Sequence, residues 1–121
     1  MSEGRGVFCC GIAIAPPTTW RYYDTIYTER FMRTPQENPA GYDDNPQTRV
    51  NSLQGDLMII HGLADDNVHY RNTAEYCEKL IQADKDFRQQ IYADRNHSIY
   101  GGNTRNHLFR QCVQFFKHEM K

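Results

Sequence analysis

The residues best suited to chemistry are His61-Gly62-Leu63-Ala64-Asp65-Asp66-Asn67-Val68-His69 and, further on, Asn96-His97-Ser98. A carboxylate that fixes an imidazole, and an imidazole that takes a proton from a hydroxyl, are two of the three parts of a Ser-His-Asp site. Asp65 or Asp66 could supply the first and His97 the second. The third part needs a nucleophile on a sharp turn, G-x-S-x-G, and none of Ser2, Ser52 and Ser98 has those flanking glycines. A metal reading competes, because His61, Asp65, Asp66 and His69 are potential ligands close in sequence. It requires a helix to bring His61, Asp65 and His69 to one face. Gly62, and the apolar run entering His61, argue against a helix there, so no metal or other cofactor is expected.

The elements that must position these groups follow from periodicity. Leu57-Met58-Ile59-Ile60 is a short apolar run suited to a buried strand. Tyr70 to Ala83 has Tyr70, Ala74, Cys77 and Ile81 at helical spacing, with Leu80 beside them and Asn67 as a candidate cap. Asp86 to Tyr92 favours a strand, 93–105 a loop carrying His97, and Leu108, Phe109, Cys112, Phe115 and Phe116 a closing helix. Acid and histidine therefore both fall just after strands and before helices, where open α/β sheets collect ligands.

Upstream, Val7 to Ala15 is continuously apolar and stopped by Pro16-Pro17, which predicts a strand buried on both faces. In Trp20 to Arg33, the aromatics Tyr23, Tyr27 and Phe31 recur every fourth residue and would share one helix face. Residues 34–48, with three prolines, read as one long loop, and Arg49 to Leu53 as a short helix or turn. The expected class is α/β: a parallel sheet flanked by helices, with two strand–loop–helix units at its end.

Composition bounds the rest. The 121 residues make at most one small domain; 39% are apolar, the net charge is -1 with signs interspersed, and mean hydropathy is -0.80. Nothing suggests a nucleic-acid footprint, and no apolar run is long enough to span a bilayer. The four cysteines, Cys9, Cys10, Cys77 and Cys112, lack metal-ligand spacing and read as buried free thiols. A core-like strand begins only a few residues from Met1, so the chain is expected to be part of a longer parent.

Three stretches carry a resemblance. H-G-x-A-D-D-N-V-H after an apolar strand, N-H-x-I-Y downstream, and W-x-Y-Y-D-x-x-Y-T-E-R upstream are similar to the C-terminal part of the dipeptidyl peptidase IV group of the prolyl oligopeptidase family. Its bacterial members also share R-F-M-R-T-P-Q-E-N and I-Y-G-G-N-T-R. The resemblance covers nearly the whole chain in order. It implies that residues 1–121 form the C-terminal half of an α/β-hydrolase domain, incomplete because the nucleophile elbow would lie upstream. It implies Asp65 as triad acid and His97 as triad base, with Asn67 bonding the substrate near its N-terminus. Tyr23 and Tyr27, with Val68 and Trp20 beside them, would wall the small pocket that takes proline or alanine. The reaction implied is release of X-Pro or X-Ala dipeptides from peptide N-termini by acyl transfer through serine. The parent implied is a homodimeric bacterial enzyme of the periplasm or cell envelope, needing no cofactor. Ser98 stands where the family usually has glycine, and Pro17 where it has a smaller or β-branched residue. The oxyanion-hole tyrosine and the β-propeller carboxylates that grip the substrate amine have no counterpart in these residues. This chain alone is therefore expected to be inactive. A reading of another class is a non-catalytic binding or interaction protein derived from the same fold, but it needs neither Asp65 nor His97.

Overall fold

The computed structural model describes residues 1–4 and 6–120. Three strands, β1 (Cys10–Ile14), β2 (Asp56–Gly62) and β3 (Arg88–Tyr92), form a parallel sheet in the order β1-β2-β3. Cys10 lies opposite Asp56 and Ile14 opposite Ile60; on the other side of β2, Met58 pairs with Arg88 and Gly62 with Tyr92. Among the described residues, four α-helices accompany the sheet: α1 (Thr25–Met32), α2 (Pro39–Asp43), α3 (Arg71–Gln82) and α4 (Thr104–Glu119). This is the α/β class that the strand–loop–helix spacing predicts.

β2 is central because its side chains are apolar on both faces, and successive residues of a strand point to opposite sides. Leu57 and Ile59 join Val50, Leu53, Tyr76, Cys77 and Leu80 in one cluster against α3. Met58 and Ile60 join Ile99, Leu108 and Phe115 in a second cluster on the α4 side. Ile59, Ile60 and Leu80 are fully buried, each contributing about 1.5–3 kcal/mol relative to exposure. The same alternation puts His61 on the α3 side, following Leu57 and Ile59.

Several expectations are corrected. β1 is shorter than 7–15 and only half-buried, with Val7, Phe8 and Ile14 exposed, because it lies at the edge of the described sheet. The thiols follow suit: only Cys77 is buried, Cys9 is exposed, and Cys10 and Cys112 are intermediate, all four being free. Residues 34–48 are not one loop. Asn38 caps α2 by accepting from the Gly41 N–H, and Asn45 with Thr48 forms a reciprocal capping box on a 3-10 turn, Pro46–Thr48. The segment 20–33 is likewise not one helix: a 3-10 turn, Trp20–Tyr22, is separated from α1 by Tyr23 and Asp24, and the Asp24 carboxylate caps the Tyr27 N–H. Tyr23 therefore precedes the helix that carries Tyr27 and Phe31. Asn67 does not cap α3, which begins at Arg71 without a side-chain cap; the reason lies in the acid loop. None of the described helices is long and apolar enough to cross a membrane.

Candidate active site

At the end of β2 the chain turns through Asp65, which is buried although its neighbour Asp66 is exposed. That burial distinguishes the two acids the sequence leaves open. Asp65 Oδ1 accepts the backbone N–H groups of Asn67 and Val68, each at 2.9 Å. Holding those two amides keeps residues 65–68 in a turn and delays α3, so Asn67 is free for another contact. Its Oδ1 accepts the Tyr23 hydroxyl at 2.9 Å.

Asp65 Oδ2 lies 2.8 Å from His97 Nδ1. A carboxylate only accepts, so the His97 proton sits on Nδ1 and Nε2 keeps a free lone pair. This is the arrangement a general base requires. His97 is partly exposed, at 41% of its side chain, while the Asp65 side chain is wholly covered. Burial pushes the Asp65 carboxyl up, but the hydrogen bonds from His97, Asn67 and Val68, and the attraction of His97 when it is protonated, outweigh it. The group is held below its ordinary value.

The loop that brings His97 is fixed at both ends. Leu63 N–H donates to the Tyr92 carbonyl and Ala64 N–H to the Arg95 carbonyl, at 3.0 and 3.1 Å. Gly62 makes this approach possible: a Cβ there would stand 2.1 Å from the Arg95 carbonyl oxygen and 2.7 Å from that of Asn96. Beyond His97, Ile99 N–H donates to the Asn96 carbonyl, closing a turn around the histidine. Ile99 is buried beside Met58, Ile60 and Phe115, yet its φ is +45°. A β-branched residue in that region is strained by about 1–3 kcal/mol, which the burial of its side chain offsets. Ser98 is exposed and its N–H donates to Asn96 Oδ1; with serine at this position the imidazole still meets Asp65.

His97 opens onto a hollow of about 250 Å³, lined by Ile14, Ala15, Pro17, Trp20, Tyr23, Tyr27, Asn67, Val68 and His97. Every sequence-predicted site residue except Asp65 lines it, and Asp65 reaches it through His97. Trp20, Tyr23 and Tyr27 stack edge-on or tilted with centroids 5.4–6.2 Å apart. Tyr27 and Phe31 are exposed, so this stripe is not core. The segment bearing the rings is tied to α3 by a buried polar network. Asn72 Oδ1 accepts the N–H groups of Thr18 and Thr19, the Thr18 hydroxyl donates to the Asn72 carbonyl, and Gln47 Nε2 donates to Thr18 Oγ1. Buried polar groups satisfied in this way rigidify what they join. A larger depression, about 800 Å³ and lined by Ser2, Glu3, Arg49, Ser52 and Gln54, contains none of these residues.

Sequence reasoning weighed His61 only as a metal ligand, set that reading aside, and gave the residue no other role. It is not poised for a metal; it is fully buried, within hydrogen-bond reach of Asp65, Val68 and Thr73. The signal available was the alternation of β2, which directs residue 61 inward toward α3. His69 turns away and accepts the Arg71 N–H. Among the described residues, no group of three or more His, Cys, Asp or Glu is arranged to hold a metal.

The Asp65 shift makes stability pH-dependent. A carboxyl whose pKa is lower in the folded state contributes stability that is present above its unfolded value and lost as pH falls through the folded one. In urea unfolding at stepped pH, the stability gap between the parent and Asp65→Asn is expected to close as pH falls from about 5 toward about 2. A gap independent of pH would contradict the ionised, multiply bonded carboxylate.

Comparison with known proteins gives a consistent result. The profile of the prolyl oligopeptidase family, a peptidase family, matches residues 1–121. The crystal structure of Porphyromonas gingivalis dipeptidyl peptidase 4 superposes with a TM-score of 0.95 at 50% identity, covering 98% of this chain and 17% of that one. Venom dipeptidyl peptidase 4 of Apis mellifera is 44% identical over 119 residues, 95% of this chain and 15% of the relative. Human prolyl endopeptidase FAP is 40% identical over 126 residues, 97% of this chain and 16% of the relative. The chain thus spans about a sixth of the length of the proteins it matches.

Proposed function

Because the chain belongs to the prolyl oligopeptidase family, we propose that it supplies the acid and base of a serine dipeptidyl peptidase, as the C-terminal part of the catalytic domain of a longer parent. The observation that carries this reading is the 2.8 Å contact between Asp65 Oδ2 and His97 Nδ1, which leaves His97 Nε2 free beside an aromatic pocket. In the reaction proposed, Nε2 takes the proton of a serine hydroxyl supplied by the parent as its oxygen attacks the scissile carbonyl. The same nitrogen then returns that proton to the leaving amine, and a water repeats the cycle on the acyl-enzyme. Asp65 stays ionised and stabilises the imidazolium between the two transfers.

The substrate proposed is a peptide whose second residue is proline or alanine. A hollow of about 250 Å³ between Trp20, Tyr23, Tyr27 and Val68 suits a small ring or methyl group. Asn67, at its rim, is assigned to the substrate backbone near its N-terminus. The parent is further proposed to be a homodimer. Phe109, Val113 and Phe116 are exposed at helical spacing on α4 and form a stripe that such a contact could bury.

The test is hydrolysis of Gly-Pro-p-nitroanilide by a chimera in which this chain replaces the matching segment of Porphyromonas gingivalis dipeptidyl peptidase 4. The chimera is expected to turn over the amide, and the 121-residue chain alone is not. A well-folded chimera without activity would sink the proposal. Turnover by the chain alone would mean that the nucleophile has been sought in the wrong place.

A further inference from the structure

A buried imidazole costs free energy unless both its nitrogens find partners. His61 is fully buried on the α3 side of β2, its ring edge-on to Tyr70 with centroids 5.6 Å apart. Nδ1 lies 2.7 Å from Thr73 Oγ1, and Nε2 lies 3.0 Å from Asp65 Oδ2 and 2.8 Å from the Val68 carbonyl oxygen. Both partners of Nε2 are acceptors, so that nitrogen holds a proton and shares it between them. Nδ1 then accepts the Thr73 hydroxyl proton. Thr73 is itself fully buried, so the tautomer is set from inside the fold.

The geometry points to His61 as a positioning residue: its single N–H fixes Asp65 Oδ2 in line with His97 and, at the same time, the Val68 wall of the pocket. This rests on the acid–base reading of Asp65 and His97. The amides of Asn67 and Val68 hold Oδ1 only, and a carboxylate held at one oxygen can still swing about that hold. His61 is the second anchor, on the oxygen that meets His97. It touches neither substrate nor reacting atoms, so its effect passes through the carboxylate.

The experiment uses the chimera described above. His61→Leu keeps an apolar filler and removes the donor, whereas His61→Gln can present an amide N–H near the place of Nε2. His61→Leu is expected to lower kcat on Gly-Pro-p-nitroanilide by on the order of ten- to a hundredfold, as for small misplacements of a catalytic group, with a smaller change in KM. His61→Gln is expected to restore most of kcat. Thr73→Val, which removes the tautomer-setting hydroxyl, is expected to lower kcat less, and Thr73→Ser to preserve it. An unchanged kcat in His61→Leu, or a loss in folded His61→Leu that Gln does not restore, would overturn the assignment. Should His61→Leu fail to fold, equal kcat in Thr73→Val and Thr73→Ser would overturn it instead. Full activity in His61→Leu with none in Asp65→Asn defeats this inference alone. Activity surviving in Asp65→Asn defeats the acid–base reading and this inference together.

Discussion

His97→Ala in the chimera is expected to cut kcat on Gly-Pro-p-nitroanilide by on the order of a millionfold, the scale seen when the base of a serine triad is deleted. That is about 8 kcal/mol of transition-state stabilisation, at 1.36 kcal/mol per tenfold. The size follows from the double use of one atom. Nε2 is the only imidazole nitrogen left free once Nδ1 is engaged by Asp65, and in the proposed reaction it both takes the serine proton and returns it to the leaving amine. KM is expected to change little, because Trp20, Tyr23, Tyr27 and Val68 keep the pocket without it. Steady-state kinetics would check this, with Asp66→Asn as the control: Asp66 is acidic, adjacent and exposed, and its loss is expected to leave kcat within about twofold, as for a surface charge outside the site. A loss in Asp66→Asn to match that in His97→Ala would refute the choice between the two acids.

Asp65→Asn is expected to lower kcat by about ten-thousandfold, although it removes no volume. The carboxylate accepts from four directions: His61 and His97 on Oδ2, and the amides of Asn67 and Val68 on Oδ1. A carboxamide has one acceptor oxygen. With that oxygen toward the backbone amides, its NH2 faces both imidazoles. His97 must then move its proton to Nε2 to accept at Nδ1, which removes the free lone pair the reaction needs. The substitution thus acts by choosing the wrong tautomer rather than by emptying the site. An activity within tenfold of the parent would show that Asp65 does not set the proton on His97.

Much of this arrangement was legible in the residues, for reasons that differ by element. β2 and α3 were clear because their periodicities are strong and their burial is decided within the chain: Leu57 to Ile60 and Leu80 have partners here. The meeting of Asp65 and His97 followed from each lying after a strand, since neighbouring parallel strands bring their ends to one edge. The extent of β1 was misjudged because an apolar run gives intrinsic preference but not what covers it, and the described sheet leaves one side of β1 open. α2 was hidden by Pro39 and Gly41, which read as loop until the Asn38 cap is seen. His61 was left without a role because the strand was used only to set aside the ligand spacing, and its alternation was not carried one residue further. The alternation makes it a core residue, and only its neighbours then decide what that residue does.

The hydrogen bond from Tyr23 to Asn67 carries a consequence for selectivity. Asn67 Oδ1 accepts the tyrosine hydroxyl with one lone pair, and the side chain keeps its two N–H donors and a second lone pair for a visitor. In the substrate role proposed for Asn67, those N–H donors would meet a peptide carbonyl oxygen. Because the same bond joins the pocket wall to the asparagine, a visitor that shifts one disturbs the other. For the dipeptide proposed as substrate, fit in the pocket and fit at the asparagine would then be coupled.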